Sequence, residues 1–141
     1  MKILYIDDNP DDVQIIREML KEKIAIPFNL FVSDSLSAGI ERLSERDIDV
    51  VLLDIFLPDS KGIDTFHKIK IQYQTATPVP VVIITTPDNE KLAIKAVQQG
   101  AQDYLIKGQF NSSFLMRTLH YAIERHTLLE KLRALALKDR L

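Results

Sequence analysis

The sequence predicts a doubly wound α/β domain, in which helices cover both faces of a parallel β-sheet. Short segments made almost wholly of apolar residues alternate along the chain with segments whose apolar residues recur at helical spacing. Apolar strands without polar alternation are typical of parallel sheets buried on both faces, and their alternation with amphipathic helices indicates repeated βα units. With 141 residues, 46% of them hydrophobic, the chain is long enough for one compact domain with a substantial core.

Five strands are predicted from short apolar runs, of which the second is the weakest and the fourth is interrupted by Pro80. These runs span residues 3–6, 28–32, 50–53, 79–84 and 104–106. Between them, apolar residues recur at spacings of three and four, which predicts helices with one buried face. The stripes consist of Val13, Ile16, Met19 and Leu20; Leu36, Ile40 and Leu43; Ile63, Phe66 and Ile69; and Leu92, Ala93, Ala96 and Val97.

Residues that favour helix ends support these boundaries. Pro10 lies where the first turn of a helix tolerates proline, and Gly100 follows the fourth helix, where a C-terminal glycine is favoured. Ser35 and Asn89 are predicted N-caps, because their short polar side chains can accept a hydrogen bond from the first helical turn.

The last segment, residues 111–141, has no glycine or proline and predicts one helix of about 30 residues, longer than the roughly 12 of an average helix. Its first half carries apolar residues that are expected to face the sheet: Phe114, Leu115, Leu119 and Ile123. Its second half carries a seam of leucines spaced four and three residues apart: Leu128, Leu132 and Leu135. A coiled coil and a solvated terminal helix both remain open, because the seam is shorter than three heptads.

The bulk composition excludes some functional classes. The 18 basic and 20 acidic residues give a net charge of -2, which favours neither a nucleic-acid footprint nor a disordered acidic tail. The absence of cysteine excludes disulfides and cysteine-based zinc sites. Because of this charge balance we expect no direct nucleic-acid partner. Since the N-terminus lacks a signal-peptide pattern and no apolar run approaches 18 residues, we expect a cytoplasmic protein with no membrane partner.

Polar residues follow the predicted strands at their carboxyl ends. Asp7 and Asp8 follow the first strand, Asp54 the third, Thr85 the fourth and Lys107 the fifth. Each residue taken singly is better explained as a turn, a strand end or a solvated side chain. In an open parallel sheet, however, ligands bind outside the carboxyl ends of the strands, so these residues are expected to meet in one crevice.

The residue types in this predicted crevice suit phosphoryl transfer to a carboxylate. Clustered carboxylates raise one another's pKa and need a compensating positive charge. Magnesium binds one or two carboxylates together with phosphate oxygens, so Mg2+ is the predicted cofactor. One of these aspartates can then serve as the nucleophile, while Lys107 supplies a second positive charge and Thr85 supplies a hydroxyl donor.

Four sequence blocks resemble those of the receiver domains of two-component response regulators, in the same order: ILYIDDNPDD, VVLLDIFLPDSKGID, VVIITTPDNEKLAIKAVQQGAQDYLIKG and YAIER. The resemblance covers residues 1–125, and it implies a flavodoxin-like fold whose five-stranded sheet has the order 2-1-3-4-5, with an extended C-terminal helix. It also implies a signalling switch, not a metabolic enzyme, in which a sensor histidine kinase or a phosphotransfer protein phosphorylates Asp54.

The same resemblance implies a role for each residue of the site. The implied Mg2+ ligands are Asp8 and Asp54 directly, Asp7 through a bound water, and the backbone carbonyl of Phe56. Thr85 and Lys107 are implied to contact the phosphoryl group. Tyr104 is implied to be the switch residue, an aromatic side chain whose rotamer accompanies activation.

Residues 126–141 are predicted to form a helical extension that links the receiver to an output domain. The closing LRALALKDRL resembles the linker that leads into the catalytic domain of diguanylate cyclase response regulators, which suggests the N-terminal receiver of such a regulator. The resemblance implies a homodimer through either the face of the fourth and fifth helices or the C-terminal helix.

Two alternative functions fit these residues less well. A phosphohydrolase of the haloacid dehalogenase type also uses an aspartate nucleophile at a strand end, but it requires a second aspartate where this chain has Phe56. A degenerate receiver that only docks a partner is disfavoured, because every expected acidic, hydroxyl and lysine position is filled.

Overall fold

A computed structural model of the chain describes residues 1–22, 27–74 and 78–139. In chain order its elements are β1 (Lys2–Ile6), α1 (Pro10–Lys21), β2 (Asn29–Ser33), α2 (Leu36–Leu43), β3 (Val50–Asp54), β4 (Phe56–Leu57), β5 (Ser60–Lys61), α3 (Ile63–Gln74), β6 (Val81–Thr85), a short 3-10 helix (Pro87–Asn89), α4 (Glu90–Gln98), β7 (Asp103–Ile106) and α5 (Ser112–Asp139). The predicted alternation of strands and helices is confirmed. Strands β4 and β5 were not predicted, because each has only two residues and carries no periodic pattern.

The five longer strands form one parallel sheet in the order β2-β1-β3-β6-β7. Counting only these strands, this is the order 2-1-3-4-5, so the predicted flavodoxin-like topology is confirmed. The chain reverses its direction of travel across the sheet between β1 and β3, which lie side by side. A doubly wound sheet binds its ligands outside the carboxyl ends of the strands at such a switch point.

Alternate residues of the strands supply two hydrophobic clusters, one on each face of the sheet. Leu4 and Ile6 of β1 point to the cluster that α2, α3 and α4 cover. Ile3 and Tyr5 point to the opposite cluster, which α1 and α5 cover. Because successive side chains of a strand point to opposite faces, a strand buried on both sides must be apolar throughout, as these runs are.

The helix ends follow the predicted signals with one exception. Pro10 is the first residue of α1, Ser35 Oγ accepts a hydrogen bond from the Ala38 N–H, and Gly100 ends α4 with a positive φ of 120°. Asn89 occupies the N-cap position of α4, but its side chain makes no capping bond. Its amide Nδ2 donates instead to Thr86 Oγ1 at 3.1 Å, which holds the turn before the helix.

Helix α5 has 28 residues, so the prediction of one long terminal helix is confirmed. Leu115 and Leu119 are fully buried against the sheet, whereas the prediction for Phe114 was wrong, since its side chain is 43% exposed. The buried face follows the spacing of Leu115, Leu119 and Ala122, and Phe114 lies one residue outside it, with its ring under the Arg117 guanidinium.

The leucine seam of α5 is exposed in this single chain. Leu128, Leu132 and Leu135 are each more than half exposed. Within residues 1–22, 27–74 and 78–139, no helix is both long and apolar enough to cross a membrane.

Candidate functional site

The site lies at the carboxyl edge of the sheet, where the loops after β1, β3, β6 and β7 meet. Asp54 and Thr85 are the last residues of β3 and β6, and Asp7 and Lys107 directly follow β1 and β7. Asp7, Asp54 and Thr85 are at most 5% exposed. The strand order brings together residues that are up to a hundred positions apart in sequence, as the sequence predicted.

The ammonium group of Lys107 is the centre of this site. Its Nζ lies 2.9 Å from Asp7 Oδ2, 2.8 Å from Asp12 Oδ2 and 2.7 Å from Asp54 Oδ2. An ammonium group has three N–H donors, so these three carboxylates use all of them. The Lys107 side chain is 15% exposed, and its backbone N–H donates to the Thr85 carbonyl at 2.8 Å, which fixes the strand end.

The Asp54 carboxylate accepts a hydrogen bond on each oxygen. Lys107 donates to Oδ2, and the backbone N–H of Phe56 donates to Oδ1 at 2.8 Å. Burial nevertheless raises the pKa of Asp54 above its usual value, because the bonds from Lys107 and Phe56 only partly offset desolvation and the nearby charge of Asp7 adds to it. The ionised carboxylate is therefore an energetically costly form in the folded protein.

Lys107 remains charged in these surroundings. Burial alone would lower its pKa, but the hydrogen bonds to Asp12, Asp54 and Asp7 outweigh burial and hold the pKa of Lys107 above its usual value. Counted as formal charges, three carboxylates and one ammonium leave an excess negative charge at the crevice.

Sequence reasoning missed Asp12 as a residue of the site. An aspartate in the first turn of a helix is sufficiently explained by its favourable charge at the helix N-terminus, and the Asp12 backbone N–H does bond the Asn9 cap. The structure brings its carboxylate to Lys107 as well. Its place in the first turn of α1, after the strand that ends at Asp7, was a usable signal, since that turn must lie at the same sheet edge.

The phenol of Tyr5 is a second site group that was missed, since Tyr5 was predicted only as a residue of a buried strand. Its hydroxyl donates to Asp7 Oδ2 at 2.6 Å. Asp7 Oδ1 accepts from the Asn9 backbone N–H at 2.9 Å. Together with Lys107, these donors surround the Asp7 carboxylate.

The other predicted site residues take different places around this group. Asp8 is exposed, and its carboxylate has no hydrogen-bond or ion-pair partner in the part of the chain that the structure describes. Thr85 is buried, and its hydroxyl also lacks a partner among those residues. Tyr104 is half-buried and donates its hydroxyl to Glu90 Oε2 at 3.1 Å, so it bridges β7 and α4 and does not join the carboxylate group.

The carboxylates suit a divalent cation by their chemistry, although they are not yet gathered around one point. Among the described residues, no group of three or more histidine, aspartate or glutamate side chains forms a ready metal cage. Lys107 now holds Asp7 and Asp54, and Asp8 is free beside them. Hard oxygen donors with an excess of negative charge and an open, unpaired carboxylate are what Mg2+ accepts.

The loop after Asp54 is fixed by backbone and hydroxyl bonds. The Ile55 carbonyl accepts from the Gly62 N–H at 2.6 Å and from Thr65 Oγ1 at 3.2 Å. Gly62 has a φ of 75°, a left-handed conformation that suits glycine. This loop therefore holds Phe56, and with it the bond to Asp54, in a fixed place.

Asp59 ties the same loop to α2. Its two carboxylate oxygens accept from the Leu36 and Ser37 N–H groups at 2.9 and 3.0 Å. These N–H groups have no partner within the helix, so Asp59 caps α2 from a distant part of the chain. Those two bonds hold the pKa of Asp59 below its usual value.

Replacing Asp59 with alanine is expected to lower the free energy of unfolding by about 1 kcal/mol, the usual cost of a lost helix cap. Because the pKa of Asp59 is lowered in the folded state, its contribution is present above the ordinary aspartate pKa and is lost as the pH falls through the folded-state value. Urea unfolding at neutral and acidic pH measures both effects. Asp59→Asn keeps one oxygen acceptor and should lose less; equal losses for the two variants would contradict the capping role.

Fold and site together define a doubly wound α/β domain of the receiver class. The chain belongs to the response regulator receiver domain family, whose profile matches residues 3–120. A crystal structure of a response regulator receiver domain protein from Clostridium thermocellum has the same fold, with a TM-score of 0.75 and 29% identity over 91% of this chain and 98% of that one.

Two relatives illustrate the proteins in which such domains occur. The transcriptional regulatory protein YdfI of Bacillus subtilis is 28% identical over 132 residues, which are 92% of this chain and 58% of that protein. The uncharacterized transcriptional regulatory protein YclJ of the same species is 34% identical over 126 residues, 89% of this chain and 52% of that protein. The chain spans about half the length of the curated relatives it matches. These names describe regulators of transcription.

Proposed function

We propose that this receiver domain is a phosphorylation-controlled switch that accepts a phosphoryl group on Asp54 in a Mg2+-dependent reaction. The observation that carries the proposal is the convergence of buried Asp7 and Asp54 on Lys107 Nζ at the switch point of the sheet. Lys107 Nζ, 2.7 Å from Asp54 Oδ2, is placed to compensate negative charge on a group attached to this carboxylate.

Each residue has a distinct part in the transfer. An Asp54 oxygen attacks the phosphorus of the donor, the bond between phosphorus and the donor breaks, and an acyl phosphate forms on Asp54. Lys107 loses its charge partner on Asp54 and is then free to pair with a phosphoryl oxygen. The Thr85 hydroxyl, which is buried at the end of the neighbouring strand, is the donor available to a second phosphoryl oxygen.

The proposed Mg2+ ligands are Asp8, Asp54 and the Phe56 carbonyl, with Asp7 bound through water. The metal would neutralise charge on the phosphoryl oxygens when bound. Asp8 is suited to this role because its carboxylate is exposed next to Asp7 and has no partner among the described residues.

The proposed phosphoryl donor is a sensor histidine kinase or a phosphotransfer protein, and Tyr104 is the proposed switch residue. The Tyr104 hydroxyl bonds Glu90 and so connects β7 to α4. Thr85 is on β6, which pairs with β7, so a shift of Thr85 toward a phosphoryl group can be transmitted to Tyr104 through the adjacent strand. A homodimer is proposed through the α4 and α5 face or the exposed leucine seam of α5. Absence of direct nucleic-acid binding by these residues stays a prediction, since the relatives are transcriptional regulators.

The test is the intact mass of the protein after incubation with acetyl phosphate. In the presence of Mg2+ the mass should increase by one phosphoryl group, and peptide mapping should place the group on the peptide that contains Asp54. Chelation of the metal with EDTA should prevent the gain. If neither acetyl phosphate nor a histidine kinase modifies the protein, and beryllofluoride does not bind, the proposal is wrong and a docking module is favoured.

A further inference from the structure

The Tyr5 hydroxyl has no part in the transfer described above, yet it lies inside the acidic crevice. Tyr5 is fully buried on β1, and its ring packs in the cluster that α1 and α5 cover. A phenylalanine would fill the same space without bringing a polar group into the core. Packing alone does not account for the hydroxyl, since a buried hydroxyl destabilises the fold unless it is hydrogen-bonded.

Asp7 is the hydrogen-bond partner of this hydroxyl. The bond to Asp7 Oδ2 is 2.6 Å long, in the range of a hydroxyl that donates to a carboxylate. A carboxylate can only accept a hydrogen bond, so the phenol is the donor in this contact.

The three donors around Asp7 differ in what else they serve. Lys107 is shared among three carboxylates and would turn to the phosphoryl group once Asp54 is modified. The Tyr5 hydroxyl and the Asn9 backbone N–H each donate to Asp7 without being shared with Asp54, and they bond different oxygens of Asp7. They can therefore keep the carboxylate in one orientation while Lys107 moves.

We propose that Tyr5 is a positioning residue for the metal site, because its hydroxyl fixes the orientation in which Asp7 serves Mg2+. This inference rests on the proposed function. Hydrogen-bond partners behind metal ligands orient those ligands, and their loss typically reduces metal affinity by about 10- to 100-fold. Tyr5→Phe should therefore bind Mg2+ about 10-fold more weakly than the wild type.

The experiment is a calorimetric titration of Mg2+ into the wild type and Tyr5→Phe, without any phosphoryl donor. Tyr121→Phe is the matched control, because it removes the same hydroxyl from a side chain that is half exposed on α5. Weaker binding for Tyr5→Phe alone supports the inference. Equal affinities of the wild type and Tyr5→Phe would overturn it and leave the proposed function intact, whereas a wild type that binds no Mg2+ would overturn both.

Thermal unfolding of the metal-free variants separates positioning from a general loss of structure. A positioning role predicts that Tyr5→Phe retains its cooperative transition while its Mg2+ affinity falls. If Tyr5→Phe does not fold, 3-fluorotyrosine placed only at position 5 keeps the ring and the hydroxyl but changes the donor strength. An Mg2+ affinity that changes with this replacement supports the role of Tyr5, and an unchanged affinity overturns it.

Discussion

Replacing Asp54 with asparagine is expected to abolish the Mg2+-dependent gain of a phosphoryl group and, at the same time, to make the metal-free domain more stable at pH 7. Asparagine has nearly the same shape but cannot form the acyl phosphate, so the loss of modification should be complete. It also removes a buried carboxylate whose pKa is raised chiefly by burial. Lys107 keeps Asp7 and Asp12 as partners. The gain should be about 1 kcal/mol, the size common for single stabilising substitutions.

The raised pKa of Asp54 also sets how this gain changes with pH. The folded protein binds this proton more tightly than the unfolded chain, so the resulting stability is fully present below the ordinary aspartate pKa. It is lost as the pH rises through the folded-state pKa of Asp54. The difference in unfolding free energy between Asp54→Asn and the wild type should therefore be small in acid and grow toward neutral pH.

Urea unfolding of both proteins between acidic and neutral pH, with EDTA present, measures this difference. Asp34→Asn is a suitable control, because Asp34 is exposed at the same edge of the sheet and has no partner in the part of the chain that the structure describes. As a surface substitution without a lost contact, it should change the unfolding free energy little at neutral pH. A less stable Asp54→Asn at pH 7 would contradict the view that the Asp54 carboxylate is costly in the folded protein.

Features of the fold that leave a periodic or apolar pattern in the sequence could be predicted, and features without such a pattern could not. The central strands β1, β3 and β6 were predictable because they are apolar on both faces, whereas the edge strands β2 and β7 carry weaker patterns. The positions of Asp54, Thr85 and Lys107 were predictable because each residue ends or follows a predicted strand. The β4–β5 hairpin was not, because two-residue strands have no periodicity. The predicted burial of Phe114 was wrong because this residue lies at the start of α5, where a difference of one residue moves a side chain off the buried face.

Tyr5 and Asp12 escaped prediction for a different physical reason. Local structure alone explains both residues, Tyr5 as an aromatic residue of the core and Asp12 as a favourable charge at a helix N-terminus. Neither explanation indicates a contact within the site. Tyr5 and Asp7 are two apart on one strand and therefore share a face, which is a signal that could have been used. The place of Asp12 in the first turn of α1 indicates the sheet edge, but its pairing with Lys107, 95 residues away, was visible only in the assembled fold.

Replacing Lys107 with methionine is expected to have the largest effect on stability, a loss of about 3 kcal/mol at pH 7 in the absence of metal. Methionine retains an unbranched, apolar side chain but no charge. Asp7, Asp12 and Asp54 would then face one another with no cation between them, and removing one partner of a buried ion pair leaves uncompensated charge. Lys91→Met, at an exposed position of α4, is the control and should change the unfolding free energy little.

The pH dependence of Lys107→Met should differ from that of the wild type. In the wild type, the raised pKa of Lys107 means that its stabilising contribution is present below the ordinary lysine pKa and is lost only at strongly alkaline pH. In the variant, Asp54 loses the Lys107 bond that lowers its pKa, so its folded-state pKa rises further; stability is therefore greatest in acid and falls as the pH rises through that pKa. A divalent cation should recover part of the lost stability, because it supplies the missing positive charge.

Urea unfolding of Lys107→Met at acidic and neutral pH, with Mg2+ and with EDTA, tests both expectations. A variant equally stable under all four conditions would mean that Lys107 does not hold these carboxylates together.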